Sequence, residues 1–536
     1  MNHTTKKINT AKLLKTILSL VMVLSLLVGC SMMFVGCSGS GNNNETQPGS
    51  NKHDPAQYEG LNDKDYFQTL TYNYLSDVTA ALSKGYDAYM SGFKGGSAGA
   101  KVGMTLTLGD PVLDLLEDAA GGAMDFGFLS KVSLDMDVGS KDQLTQTKMA
   151  LGLNGKDIAT VTMLMDMANY AMYMGVPELN STYIKMDLME AMGGMNGSAA
   201  SMQGMMAAAA QFVDELPSGA ELETLINRYV KAALGELDNV KREKTTLEAG
   251  GLEQECAKMT VKIYEKDALD MAKAVLTTAK NDKDLKKIIE DVVSAAADMA
   301  GESIDASSIY NDFTEMIDSA LDQLEYEYEE LDDEYIELVM YIDANHSVIG
   351  ADLSISDGSI GDVHFYTVTE GKNFASELIV ENAGLEVTGE GTIGNGKITG
   401  TYNVEVQGED TLTLEVKDLD AEGGTITLKP AESIMNNITG GADLPFEDIA
   451  LEIKLDKDGI ELNALSGSKK LVGIALTVKE SSIGSVKLPT KYVDGTDTDE
   501  LMNWVSGANF NTLLNNLKKA GVPSDLVDSL ESMLGG

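Results

Sequence analysis

Residues 385–406 read Leu385-Glu386-Val387-Thr388-Gly389-Glu390-Gly391-Thr392-Ile393-Gly394-Asn395-Gly396-Lys397-Ile398-Thr399-Gly400-Thr401-Tyr402-Asn403-Val404-Glu405-Val406. Two alternating runs flank Asn395-Gly396, a dipeptide whose residues tolerate the positive φ that a two-residue hairpin demands. The spacing predicts strands over 385–393 and 397–406, antiparallel and each with one apolar face. Working outward, the same texture fills Tyr335 to Val486, with runs at 336–343, 347–356, 363–368, 376–381, 411–419, 424–428, 449–455, 459–465 and 472–479. Asp357-Gly358, Gly423-Gly424 and Asp458-Gly459 supply further turns. Most gaps are too short for a helical crossover, so the pairing is expected to be mainly antiparallel.

Toward the N-terminus the pattern alternates between classes. Tyr66, Leu70, Tyr74, Val78 and Leu82 recur at a spacing of four, which predicts a helix over 58–90. Strands are expected at 101–108, 132–138, 149–153, 158–165, 171–176, 183–188 and 258–264. Helices are expected at 111–119, 199–237, 266–279, 282–299 and 307–330, and near 498–519 and 524–534. The class is α+β: a large antiparallel β-sheet of half-barrel-like meanders packed with helices, which are expected to cover the apolar side of the strands. The domain reading is a signal peptide at 1–29, a lipidated cysteine and linker at 30–57 and an α+β module at 58–334. A meander continues the sheet at 335–490, and helices close the chain at 491–536.

The formal net charge is −44 over 536 residues, and 43% of residues are hydrophobic. That composition supports a packed core and argues against global disorder. The acidic balance repels phosphate backbones and anionic headgroups, so nucleic acid is excluded as a partner class.

Residues 1–16 carry Lys6, Lys7, Lys12 and Lys15 and no acid, and Ile17 to Val28 is almost wholly apolar. A core of about a dozen residues suits a signal peptide and falls short of the ~20 that span a bilayer. It ends in Leu27-Val28-Gly29-Cys30, which resembles the lipobox of bacterial lipoproteins. A second, poorer match is Phe34-Val35-Gly36-Cys37. The resemblance implies a diacylglycerol thioether on Cys30, or alternatively on Cys37, and an extracytoplasmic, membrane-anchored protein. Ser38 to about Pro55 is rich in Gly, Ser and Asn and reads as a flexible tether. Cys256, the remaining cysteine, is expected to be a buried free thiol.

The tether, the leading helix and a broad antiparallel sheet resemble the LolA/LppX-like lipoprotein fold. So do the strand Lys258 to Tyr264 running into a helix at Lys266, and the strand-turn-strand Tyr341-Ile342-Asp343-Ala344-Asn345-His346 with Val348-Ile349-Gly350. The likeness covers most of 58–490. It implies helices on the concave face of a half-barrel and an apolar cavity for lipid or acyl chains.

No nucleophile elbow, phosphate loop, dinucleotide fingerprint or zinc spacing occurs, so no catalytic residue, cofactor or metal is assigned and the chain is read as a non-enzyme. Met189, Met192, Met195, Met202, Met205 and Met206 form the densest methionine run. Thioethers there suit flexible packing first, an adaptable lining for a greasy ligand second, and copper(I) last. Asp494 to Glu500 alternates acids, but Asp497 or Thr498 as a helix cap explains it more simply than calcium. The expected partners are the membrane, through the anchor, and a hydrophobic ligand, with an envelope scaffold that recognises a protein or glycan as the alternative. Oligomeric state is left open.

Overall fold

A computed structural model of the chain describes residues 54–534 apart from 92–98, 123, 142–143, 189–211, 301–303, 329–330, 332, 357–360, 440–445, 482 and 484–485. The elements run α1 (Asp63–Ser91), β1 (Gly99–Leu108), α2 (Asp110–Ala119), β2 (Lys131–Lys141), β3 (Leu144–Leu153), β4 (Lys156–Asp166), β5 (Ala171–Gly175) and β6 (Tyr183–Asp187). Next come α3 (Gly219–Gly235), β7 (Val240–Ala249), β8 (Leu252–Tyr264), α4 (Glu265–Asn281), α5 (Lys283–Ala300) and α6 (Ala306–Glu327). The β-rich half is β9 (Tyr335–Ile342), β10 (Val348–Ile355), β11 (Val363–Glu370), β12 (Asn373–Val380), β13 (Leu385–Gly394), β14 (Lys397–Val406), β15 (Glu409–Asp420) and β16 (Gly423–Pro430). It ends in α7 (Glu432–Thr439), β17 (Ile449–Asp456), β18 (Gly459–Ser466), β19 (Lys469–Glu480), β20 (Tyr492–Asp494), α8 (Thr498–Ser506), α9 (Phe510–Lys519) and α10 (Ser524–Leu534). The fold class is α+β with extensive antiparallel sheet, and Asn395 and Gly396 take φ of 53° and 77° in the β13–β14 hairpin.

Two compact units emerge, one from Met1–Met90 with Ala208–Ala421, the other from Ser91–Ala207 with Glu422–Gly536. Both are discontinuous, unlike the contiguous boundaries drawn from sequence at 334 and 490. The cause within the second unit is long-range pairing: β1 lies between β2 and β19, with Met104 opposite both Leu134 and Leu476.

In the first unit β7 to β15 each pair antiparallel with the next. The leading strands curl. Gln254 of β8 accepts from the N–H and hydroxyl of Thr369 on β11, at 2.9 and 3.2 Å, although β9 and β10 intervene. Leu247, Ala249 and Cys256 thereby share a core with Val339, Val368 and Ala375. Alternate residues of β8 and β9 face the other way: Met259, Val261, Ile263 and Ile342 pack on Tyr66, Phe67 and Leu70 of α1 and Leu234 of α3. Each such buried side chain contributes about 1.5–3 kcal/mol. In this unit α1 and α3 thus sit on the face opposite the inward curl, whereas the lipoprotein resemblance placed helices on the concave side.

Helix α3 starts where Pro217 and Ser218 stop the preceding chain. Ser218 and Glu221 form a capping box. From α3, Arg228 reaches Asp282 and Asp284 at the start of α5, and Tyr229 donates to Asp282 at 3.0 Å. Burial pushes the Asp282 carboxyl up. Hydrogen bonds from Arg228, Tyr229 and the N–H groups of Leu285 and Asp284 outweigh it and hold the carboxyl below the usual range.

The second unit orders its strands β16-β17-β18-β19-β1-β2-β3-β4-β5-β6, antiparallel throughout, with β20 added parallel to β6. Helix α9 packs on β4 from the side of Ile158, whose carbonyl accepts from Asn516 at 3.2 Å. Asp497 caps α8 by accepting from Asp499 and Glu500 N–H, the capping role expected of it. Among the described residues, one apolar side of these strands is left open: Leu134, Leu151, Leu476 and Val478 stay exposed, while Asp137, Thr162, Asp166 and Asn463 on the opposite side are buried.

Candidate functional site

The exposed side of the second unit is built by register. Side chains directly opposite across neighbouring strands share a face. One row runs Ile453, Leu462, Ile474, Leu106, Val132, Leu153 from β17 to β3. The next runs Leu455, Ile460, Leu476, Met104, Leu134, Leu151. A third continues Val478, Val102, Met136, Met149, Val161 into β4. Met163 and Met165 then pair with Met174 and Met172 on β5, and Met172 with Met186 on β6. These rows hold Leu, Ile, Val and Met, with neither an aromatic ring nor a charge. Their exposed members run from 37% at Leu106 and Leu462 to 59% at Val478, while Ile453, Val132, Met149, Val161 and Met163 are half-buried.

The reverse face explains why the polar residues can be inside. Ser481 donates to Asp137 at 2.5 Å, and Asp166 accepts from the N–H groups of Ala168 and Asn169 and from the Asn169 side chain. Asn463 donates to Glu452 at 3.0 Å. Hydrogen-bonded polar groups tolerate burial. Leu164, Ala171, Tyr173 and Val486 complete a small core on that side.

A second constellation lies in the first unit, on the inner face of the curl. Asp352 of β10 accepts from Tyr341 at 2.8 Å and Tyr366 at 2.5 Å, and lies 3.0 Å from His364 Nδ1. Burial and then the Asp352 carboxylate push both phenols above the ordinary tyrosine range. Asp362, His364 and Glu381 each offer one ligating atom, and these atoms lie within 4.8 Å of one another.

The sequence-based site residues are not among these. Cys30 and Cys37 lie outside the described residues, as do Met189, Met192, Met195, Met202, Met205 and Met206. Cys256 is a free, buried thiol, its pKa raised by burial. Sequence reasoning found the alternation behind the aliphatic rows and missed Asp352, His364 and Glu381. Asp362 and His364, two apart at the start of β11, were the one local signal, since in extended chain that spacing puts both on one face. No helix among the described residues is long and apolar enough to cross a membrane. The sequence matches no protein-family model and no curated protein.

Proposed function

We propose that the chain is a non-enzymatic, extracytoplasmic lipoprotein, moored through Cys30 or Cys37, whose second unit takes the acyl portion of a lipid on its aliphatic face. One observation carries this reading: a sheet face that is apolar across nine strands, β17 to β6, with exposed aliphatic side chains along it. Soluble monomers rarely expose contiguous apolar patches beyond a few hundred Å², and larger ones mark ligand or partner sites. Nine strands about 4.8 Å apart span roughly 40 Å if flat. An acyl chain reaches about half of a bilayer's ~30 Å core, so there is room to lay one down.

The chemistry of the rows favours acyl chains over a protein partner. Protein interfaces concentrate binding energy in Trp, Tyr and Arg, and none stands in the rows. Leu and Met adapt to a flexible chain, at about 0.8 kcal/mol for each methylene removed from water. The net charge of −44 opposes laying this face on an anionic bilayer. That favours holding a single lipid.

Native mass spectrometry of the detergent-extracted chain tests both halves. The expected spectrum shows an acylated mature N-terminus at Cys30 or Cys37 and a second, non-covalent lipid mass that leaves on activation. A mature chain without fatty acid overturns the anchor. A bare chain that also fails to take up added fatty acid overturns the ligand.

A further inference from the structure

We infer that Asp362, His364 and Glu381 form a binding site for a divalent transition-metal ion, with Asp352 orienting the imidazole. The topology assembles the ligands from two stretches that sequence spacing does not connect, 362–364 and 381, and adds Asp352 from a third. Val363 pairs with Val380, and the N–H of Glu381 donates to the carbonyl of Asp362 at 3.1 Å, so Asp362 and Glu381 stand opposite each other across β11 and β12. Two residues along β11, His364 shares their face. One ligating atom from each of the three falls within 4.8 Å of the other two. Ligands around a tetrahedral ion at about 2.0 Å sit roughly 3.3 Å apart. Closing that gap takes a modest side-chain rotation, and Glu381 is exposed and free to make it.

The histidine is prepared for the task. Its Nδ1 lies 3.0 Å from Asp352 Oδ1. With Nδ1–H donated to that carboxylate, the Nε2 lone pair is left for a metal, the arrangement in which a carboxylate fixes the tautomer and orientation of a ligating imidazole. Asp352 is itself fixed by the hydroxyls of Tyr341 and Tyr366. Among the described residues, no lysine or arginine pairs with Asp362 or Glu381. A cation would relieve the repulsion between the two carboxylates. Magnesium and calcium prefer all-oxygen shells, whereas one imidazole and two carboxylates suit zinc, manganese or iron, with zinc the tighter by the usual stability order. Three protein ligands leave a position for water.

Zn²⁺ titration of the full chain by calorimetry, after chelator treatment, decides the matter. The expected result is one Zn²⁺ per chain in the wild type and loss of that site in His364→Ala and in Glu381→Gln. The second variant changes only an exposed side chain, so the test survives if the first fails to fold. Asp352→Asn should keep one ion per chain but weaken it about 10–100-fold, a readout that general destabilisation would not produce. Mn²⁺ should compete for the same site more weakly. A wild type that takes no Zn²⁺, or a Glu381→Gln chain that takes it as the wild type does, overturns the proposal.

Discussion

Tyr341 and Tyr366 meet edge to face over Gly350, their ring centroids 5.5 Å apart and their planes at 85°. Gly350 is the cross-strand partner of both, Tyr341 on β9 and Tyr366 on β11. A Cβ at this position would stand 2.9 Å from the Tyr366 ring, 2.9 Å from the Phe365 carbonyl and 3.2 Å from Leu247. The missing side chain is what lets the two rings close and aim both hydroxyls at Asp352. Gly350→Ala should therefore destabilise the first unit by about 1–3 kcal/mol, the usual cost of overpacking. Urea unfolding followed by near-UV circular dichroism checks this, and a midpoint equal to the wild type would contradict it.

Three tyrosines of the first unit, two in this cluster and Tyr66 in the core against α1, resist alkali. Tyr341 and Tyr366 are raised by burial and by donating to a carboxylate. Tyr66 is pushed up to about 12 by burial, with the Arg242 guanidinium, 4.4 Å from its ring centroid, pulling the other way. A phenol whose folded pKa is raised contributes stability that is complete below its unfolded value, about 10, and is lost as pH climbs through the folded value. Ultraviolet titration should show these three ionising after the exposed tyrosines. Tyr366→Phe should remove one late step and leave the early ones alone.

On the acid side the sensitive group is His346. It stacks on Tyr58 at 4.2 Å and holds Tyr66 through Nδ1 at 2.7 Å, fastening Tyr58 and α1 to the β9–β10 turn. Burial lowers its pKa, Asp343 opposes that and Arg242 adds to it. A histidine with a lowered folded pKa gives stability that is present above its unfolded value, about 6.5, and fades as pH falls through the folded value. Hydrogen exchange around Tyr58 and α1 should accelerate below pH of about 6.5. His346→Phe should keep the stacking and flatten that pH dependence.

How far the sequence could be followed depends on what each signal encodes. Alternation located β9 to β19, because period two and turn dipeptides are local. β7 escaped because Lys241, Arg242, Glu243 and Lys244 mask its apolar positions, and β8 begins six residues before Lys258 because Glu253 and Glu255 do the same. α7 and β20 were missed as short elements, and the helix drawn over 498–519 breaks at Gly507 and Ala508 into α8 and α9. Alternation also cannot say which side of a strand is covered. The Leu134 and Met136 side looked like core, yet Asp137 is the buried residue, satisfied by Ser481 from more than three hundred positions away. Glu381 joins His364 only through the β11–β12 register, which no local spacing reports.

That inverted covering makes the aliphatic face testable without harming the fold. Met104 and Leu476 are direct cross-strand partners, 47% and 43% exposed. Substitutions at sites so open to water usually change stability by no more than about 0.5 kcal/mol. Met104→Lys with Leu476→Lys places two ammonium groups in the middle of the rows, where an acyl chain would have to strip their water. Fluorescent fatty-acid binding should fall on the order of tenfold or more, since each lost methylene contact removes about 0.8 kcal/mol. Met316→Lys, at an exposed methionine of α6 in the first unit, should leave binding unchanged. Equal loss in both variants would mean that the fatty acid is held elsewhere, and retention in both would take the face out of the binding site.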